Sequence, residues 1–78
     1  MNAVTVYTTG PNCQRCKLTK DVLTRMGVHF TEVDIRQQPA AREYVVDELG
    51  YTEAPVVVDE HDHWSGFRPD QIERIART

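Results

Sequence analysis

The sequence predicts an α/β fold of order β-α-β-α-β-β-α, a four-stranded mixed sheet flanked by three helices. Three observations carry that expectation. An alternating apolar run, Val4 to Thr8, passes through a turn at Gly10-Pro11 into a helical pattern. A β-branched and aromatic run, Val28 to Ile35, follows that helix, so the crossover makes the two strands parallel. Ala54 to Val58 and His63 to Ser65 then flank a polar turn, as a hairpin does, and a last helix follows.

Taken in order, the first helix shows Leu18, Val22 and Met26 at helical spacing, with Gly27 as its stop. Alternation in Val28 to Ile35 is imperfect, as expected of a strand covered on both faces. Pro39 suits the first turn of the second helix, which carries the stripe Ala41, Val45 and Leu49 beside Tyr44 and ends at Gly50. Ala54 to Val58 reads as a buried strand and Asp59 to Asp62 as the turn after it. Pro69 opens the third helix with Asp70 in its first turn, where negative charge is favoured, and Ile72, Ile75 and Ala76 form the buried side.

At the first strand-to-helix junction lies Thr9-Gly10-Pro11-Asn12-Cys13-Gln14-Arg15-Cys16-Lys17, which holds both cysteines of the chain. A helix beginning near Cys13 points free N–H groups and the positive end of its dipole at that sulfur, which favours the thiolate. Arg15 and Lys17 add positive charge. Thiols in such surroundings titrate at roughly 3.5–7.5 instead of about 8.5. Residues three apart on a helix share a face, with Cα atoms on the order of 5 Å apart, which a disulfide tolerates. Cys13 is then the attacking thiol and Cys16 the one that displaces product. A lone C-x-x-C also serves as half a zinc site, so a metal module of Cys13, Cys16, His61 and His63 is the alternative from another class. The strand before the pair and the helix after it favour redox chemistry.

Composition narrows the setting. The 78 residues are expected to form one domain, 1–78, small enough to bury only roughly 60% of its unfolded surface. Two cysteines are too few for a secreted disulfide scaffold. The chain passes from Met1-Asn2-Ala3 straight into the first strand, so no signal peptide is expected. The longest apolar run, Ala54 to Val58, is far short of the roughly 20 residues of a membrane span. A cytoplasmic location is therefore expected, with no membrane partner. The formal net charge of −3 speaks against nucleic acid. Charge is uneven: Arg15, Lys17, Lys20 and Arg25 crowd residues 11–27, whereas residues 43–62 carry seven acids and no Lys or Arg. Two ordinary solvated faces explain this as well as steering does.

The element order, the C-x-x-C position and the proline before the third strand resemble the thioredoxin fold in its short, glutaredoxin-like form. The likeness sharpens at Trp64-Ser65-Gly66-Phe67-Arg68-Pro69-Asp70, because W-S-G-F-R-P-D is the signature of the NrdH-redoxin family. Ala54-Pro55-Val56-Val57-Val58 and Asp62-His63 are similar to members of that family, and the resemblance covers essentially the whole chain.

The resemblance implies a dithiol-disulfide oxidoreductase that passes electrons to class Ib ribonucleotide reductase. Thioredoxin reductase would reduce it, drawing on NADPH, with no bound cofactor beyond the redox-active Cys13–Cys16 disulfide and no metal. It also implies a monomer, a cis Pro55 beside the dithiol, and Ala54 pairing with an extended substrate segment. Gln14, Arg15, Trp64, Ser65, Gly66, Phe67 and Arg68 are the remaining residues expected to meet partners. Trp64 or Phe67 would supply an apolar docking surface, while Ser65 and Arg68 tie the loop down. Turn and core roles explain much of the same stretch.

Glutathione-binding glutaredoxins typically carry a G-G-x-D-D-like sequence there and a basic residue before C-x-x-C. This chain has Ser65-Gly66-Phe67-Arg68 and the neutral Thr8 and Thr9, which implies weak or no glutathione binding. A glutathione-dependent glutaredoxin is the alternative within the fold. Where NrdH-redoxins carry an uncharged pair between the cysteines, this chain has Gln14 and Arg15, and the cation is expected to favour the reduced form.

Overall fold

The computed structural model describes residues 3–77. Its elements are β1 (Thr5–Thr8), α1 (Gln14–Arg25), β2 (Thr31–Asp34), α2 (Pro39–Glu43) running into a π-helical turn (Tyr44–Glu48), β3 (Val56–Val58), β4 (His63–Ser65) and α3 (Pro69–Ala76). The order is the one expected, and so is the mixed sheet, which runs β2-β1-β3-β4. β1 pairs in parallel with β2 and antiparallel with β3, and β3 pairs antiparallel with β4.

Alternation along β1 separates the two faces of the sheet. Val6 and Thr8 point to one side and are fully buried. There Val4, Val6, Leu23, Val57, Trp64, Ile72 and Ile75 form the core between the sheet and helices α1 and α3, with Val22, Val28, Phe30 and Phe67 packed against it. Tyr7 points to the opposite side and meets Tyr44 with ring centroids 6.0 Å apart. Val45 and Val56 are buried near them.

The buried face of α1 differs from the stripe expected. Leu18 and Met26 are 47% and 44% exposed, and the helix buries Cys16, Thr19 and Leu23 instead. Cys16, Thr19 and Leu23 lie on one face of the helix at spacings of three and four residues, and Leu23 seats that face in the core. Gly27, at φ +74°, ends the helix as expected. It closes a Schellman motif in which Val28 N–H donates to Leu23 O and Gly27 N–H to Thr24 O.

Other boundaries shift for identifiable reasons. β2 begins only at Thr31, whose N–H bonds to Val4 O, because β1 offers no partner further back. Val28 and Phe30 pack on the core from outside the ladder. The second helix widens at its end, where Leu49 N–H reaches back five residues to Tyr44 O. β3 starts at Val56, just after the cis Ala54-Pro55 peptide bond. Ala76, expected on the buried side of α3, is exposed.

Register decides what meets at the site. Tyr7 sits opposite Val56, and Val56 opposite Ser65. The segment after β1, the segment before β3 and the segment after β4 therefore emerge at one end of the sheet. Gly66 N–H donates to Pro55 O at 2.8 Å and ties the last two together.

Candidate active site

Cys13 is the N-cap of α1, with extended backbone at φ −84°, ψ 105°. Its carbonyl accepts the first intrahelical bond, from Lys17 N–H, and its own N–H reaches Gly10 O at 3.4 Å. Its sulfur does what the side chain of a capping serine or aspartate does: Sγ accepts the Cys16 N–H at 3.2 Å. Cys16 is bonded to it in a disulfide, with Cα atoms 5.2 Å apart. The two sulfurs are unequally placed, since Cys16 is 1% exposed and Cys13 only half-buried.

The turn that presents Cys13 is held from behind. Gly10 has φ +100°, a conformation that disfavours side chains, and the Arg36 guanidinium lies where any Cβ would go. Arg36 is fixed by Asp34, which accepts from Nε at 3.2 Å, from Nη2 at 2.9 Å and from the Arg36 backbone N–H at 2.9 Å. The Arg36 side chain is accordingly the main reason the Asp34 carboxyl titrates below its ordinary value. At the end of β1, the buried Thr8 hydroxyl donates to Glu32 at 3.2 Å, and Lys20 pairs with the same carboxylate.

An open groove borders Cys13, lined by Thr9, Asn12, Gln14, Arg15, Glu53 and Ala54. Cys13, Gln14, Arg15 and Ala54 are thus brought together as expected residues of one surface. Pro55 is fully buried just behind Ala54, in the cis form. The W-S-G-F-R-P-D stretch is placed otherwise. Trp64 is 5% exposed inside the core, and Phe67 packs half-buried against it, so neither lines the groove. Ser65 pairs with Val56 in the ladder, Gly66 holds Pro55, and Arg68 grips Asp70 through Nε and Nη2 at 3.2 and 3.0 Å. Next to the groove, and sharing Thr9, Glu53 and Ala54 with it, a cavity of about 180 Å³ opens among Tyr7, Arg42, Val46 and Tyr51. Burial, with the neighbouring Tyr44 adding to it, raises the Tyr7 phenol above its ordinary value.

Sequence reasoning passed over Asn12 and Glu53 and took Thr9 only as a neutral residue before C-x-x-C. Glu53 carries a usable signal, a charge one residue before Ala54-Pro55. Among the described residues no three His, Cys, Asp or Glu side chains converge as metal ligands, and Cys13 and Cys16 are bonded to each other. No helix among the described residues is long and apolar enough to cross a membrane.

Comparison with known proteins agrees with this geometry. The glutaredoxin family model matches residues 4–64. The glutaredoxin-like protein NrdH of Lactococcus lactis is 38% identical over 73 residues, covering 94% of this chain and 99% of its own. The gene 56 protein of Mycobacterium phage L5 is 41% identical, over 92% of this chain and 70% of its own. Among solved structures, the NrdH-redoxin of Escherichia coli, a glutaredoxin-like protein described as having a thioredoxin-like activity profile, superposes with a TM-score of 0.87. It is 34% identical and covers 94% of this chain and 93% of its own.

Proposed function

Since the chain belongs to the glutaredoxin family, as an NrdH-redoxin with a thiol-disulfide oxidoreductase centre at Cys13–Cys16, we propose that it donates electrons to class Ib ribonucleotide reductase and is itself reduced by thioredoxin reductase. NADPH is then the ultimate source, and the protein works in the cytoplasm as a monomer with little affinity for glutathione.

The observation that carries the chemistry is the asymmetry of the pair. Cys13 borders the groove and caps the helix, whereas Cys16 lies buried behind it. In the reduced protein the Cys13 thiolate attacks one sulfur of a substrate disulfide. A new S–S bond forms to Cys13, the substrate bond breaks, and the released sulfur takes up a proton. Cys16 then loses its proton and attacks Cys13, which frees the second substrate thiol and closes the Cys13–Cys16 disulfide. Two electrons have moved to the substrate, and thioredoxin reductase returns two. Ala54 offers its backbone to the segment that carries the substrate sulfur, and Gln14 and Arg15 meet the same segment from the helix side.

The test is a reconstituted assay with NADPH, thioredoxin reductase, this protein and class Ib ribonucleotide reductase. A parallel arm supplies electrons from glutathione and its reductase. Turnover through thioredoxin reductase, with the glutathione arm at least tenfold slower, is expected. Equal or faster turnover with glutathione overturns the assignment of the electron source.

A further inference from the structure

The groove beside Cys13 is neutral except at two places. Thr9, Asn12, Gln14 and Ala54 carry no charge, while Arg15 and Glu53 carry opposite ones. The two stand on different walls, Arg15 in the first turn of α1 and Glu53 on the segment that enters Pro55. Arg15 Nη1 lies 3.9 Å from Glu53 Oε2, with the side chains 62% and 63% exposed. Such a pair contributes little to folding, because water and salt screen it. Its consequence lies at the substrate: a group that sets its sulfur over Cys13 between those walls meets both charges.

We propose that Arg15 and Glu53 form a charge filter across the Cys13 groove, which holds off disulfides whose flanking groups all carry one sign and admits segments with neutral or mixed-sign flanks. The filter rests on the oxidoreductase reading above and names the substrate class for it. An anionic disulfide gains little from Arg15 while Glu53 is beside it, and Glu53 repels it directly. A cationic disulfide meets the mirror situation. A segment that offers an acid to Arg15 and a base to Glu53 replaces one pair by two. Rejection through unmatched charge is a recognised source of specificity, and charges at a rim act mainly on the association rate. Neither residue exchanges electrons or bonds to sulfur, so both are specificity determinants.

The experiment follows single-turnover oxidation of the pre-reduced protein at low salt by dithiodiglycolate (dianionic), hydroxyethyl disulfide (neutral) and cystamine (dicationic). Each oxidation closes the Cys13–Cys16 disulfide and releases two small thiols. Wild type, Glu53→Gln, Arg15→Gln and the swapped Arg15→Glu/Glu53→Arg protein are compared. Every rate constant is divided by the same variant's rate with hydroxyethyl disulfide, which removes any change in thiol reactivity itself. Glu53→Gln is expected to raise the anion-to-neutral ratio about fivefold and Arg15→Gln the cation-to-neutral ratio by a similar factor, the upper range for exposed pairs. The swapped protein should return both ratios to within about twofold of wild type, and added salt should shrink all the differences. Ratios that stay within about twofold of wild type in both single variants overturn the filter, on the same scale of exposed-pair strengths. Failure of wild type to reduce hydroxyethyl disulfide overturns the oxidoreductase reading instead.

Discussion

The backbone N–H of Cys16 donates to the sulfur of Cys13 at 3.2 Å. That one bond joins the fold to the chemistry. The donor is an N–H that the start of α1 leaves without an intrahelical partner, and the acceptor is the sulfur proposed above as the nucleophile. In the oxidised state the sulfur accepts it as a neutral cap. In the proposed mechanism the disulfide opens and the same N–H then faces a thiolate, and hydrogen bonds to ionised acceptors are roughly twice as strong as neutral ones.

From the unequal burial of the two sulfurs, the cysteines are expected to fail differently. Cys13→Ser should show no reaction with a substrate disulfide. Cys16→Ser should react once and stop as a mixed disulfide on Cys13, visible by mass spectrometry as a stoichiometric adduct. Normal turnover by Cys16→Ser would show that a second thiol from solution, and not Cys16, resolves the intermediate.

Arg15 sets a smaller effect. Its charge lies in the first turn of the helix that Cys13 caps, but it is largely exposed and shared with Glu53. Arg15→Gln should lower the reduction potential, making the protein a stronger reductant, by no more than about 20 mV. Equilibration against glutathione or a reference redoxin measures it, and an unchanged or raised potential counts against the cation's role.

The inner face of α1 can be tested by stability. Leu23 is fully buried in the core and Leu18 is 47% exposed. Leu23→Ala should cost about 3 kcal/mol in urea unfolding. Leu18→Ala should cost less than about 0.5 kcal/mol. Similar losses for the two would put the expected stripe of Leu18, Val22 and Met26 back in the core.

These residues also mark where the sequence stops being legible. Cys13, Cys16 and Ala54-Pro55 stand out because their chemistry acts over three residues or fewer. The stripe Leu18, Val22 and Met26 fits a helical period as well as Cys16, Thr19 and Leu23 does, and is the more apolar of the two. What selects the second is the seating of Leu23 in the core with Val6, Val57, Trp64 and Ile72, a tertiary contact that the helical period does not express. β2 is shorter than its apolar run because a ladder needs a partner, and β1 supplies one only for Thr31 to Asp34. Glu53 looks like one more acid in an acidic stretch until the sheet register carries it to the start of α1. Trp64 reads equally as docking residue or core plug, and its burial settles where its ring lies.

Two aspartates paired with arginines predict the acid side of the stability curve. The Arg36 side chain holds the Asp34 carboxyl below its ordinary value, and the Arg68 side chain does the same for Asp70. A carboxyl whose pKa is lower folded than unfolded adds stability above the unfolded value of about 3.9, and that stability is lost as pH falls through the folded value. Asp34→Asn and Asp70→Asn should therefore melt below wild type at neutral pH, with the gap closing as pH drops to about 2. Thermal melts across that range check it, and a gap that persists at the acid end would assign the loss to packing instead of charge.

The most direct test of the account is the pH dependence of alkylation in the reduced protein. Iodoacetamide is added at a series of pH values and the modified residue is mapped by mass spectrometry. Cys13 should react alone, and at pH values well below those at which an ordinary thiol, with its pKa of about 8.5, becomes reactive. Reaction at Cys16 first, or a Cys13 rate that climbs only through the ordinary thiol range, would contradict a nucleophile made by the start of α1.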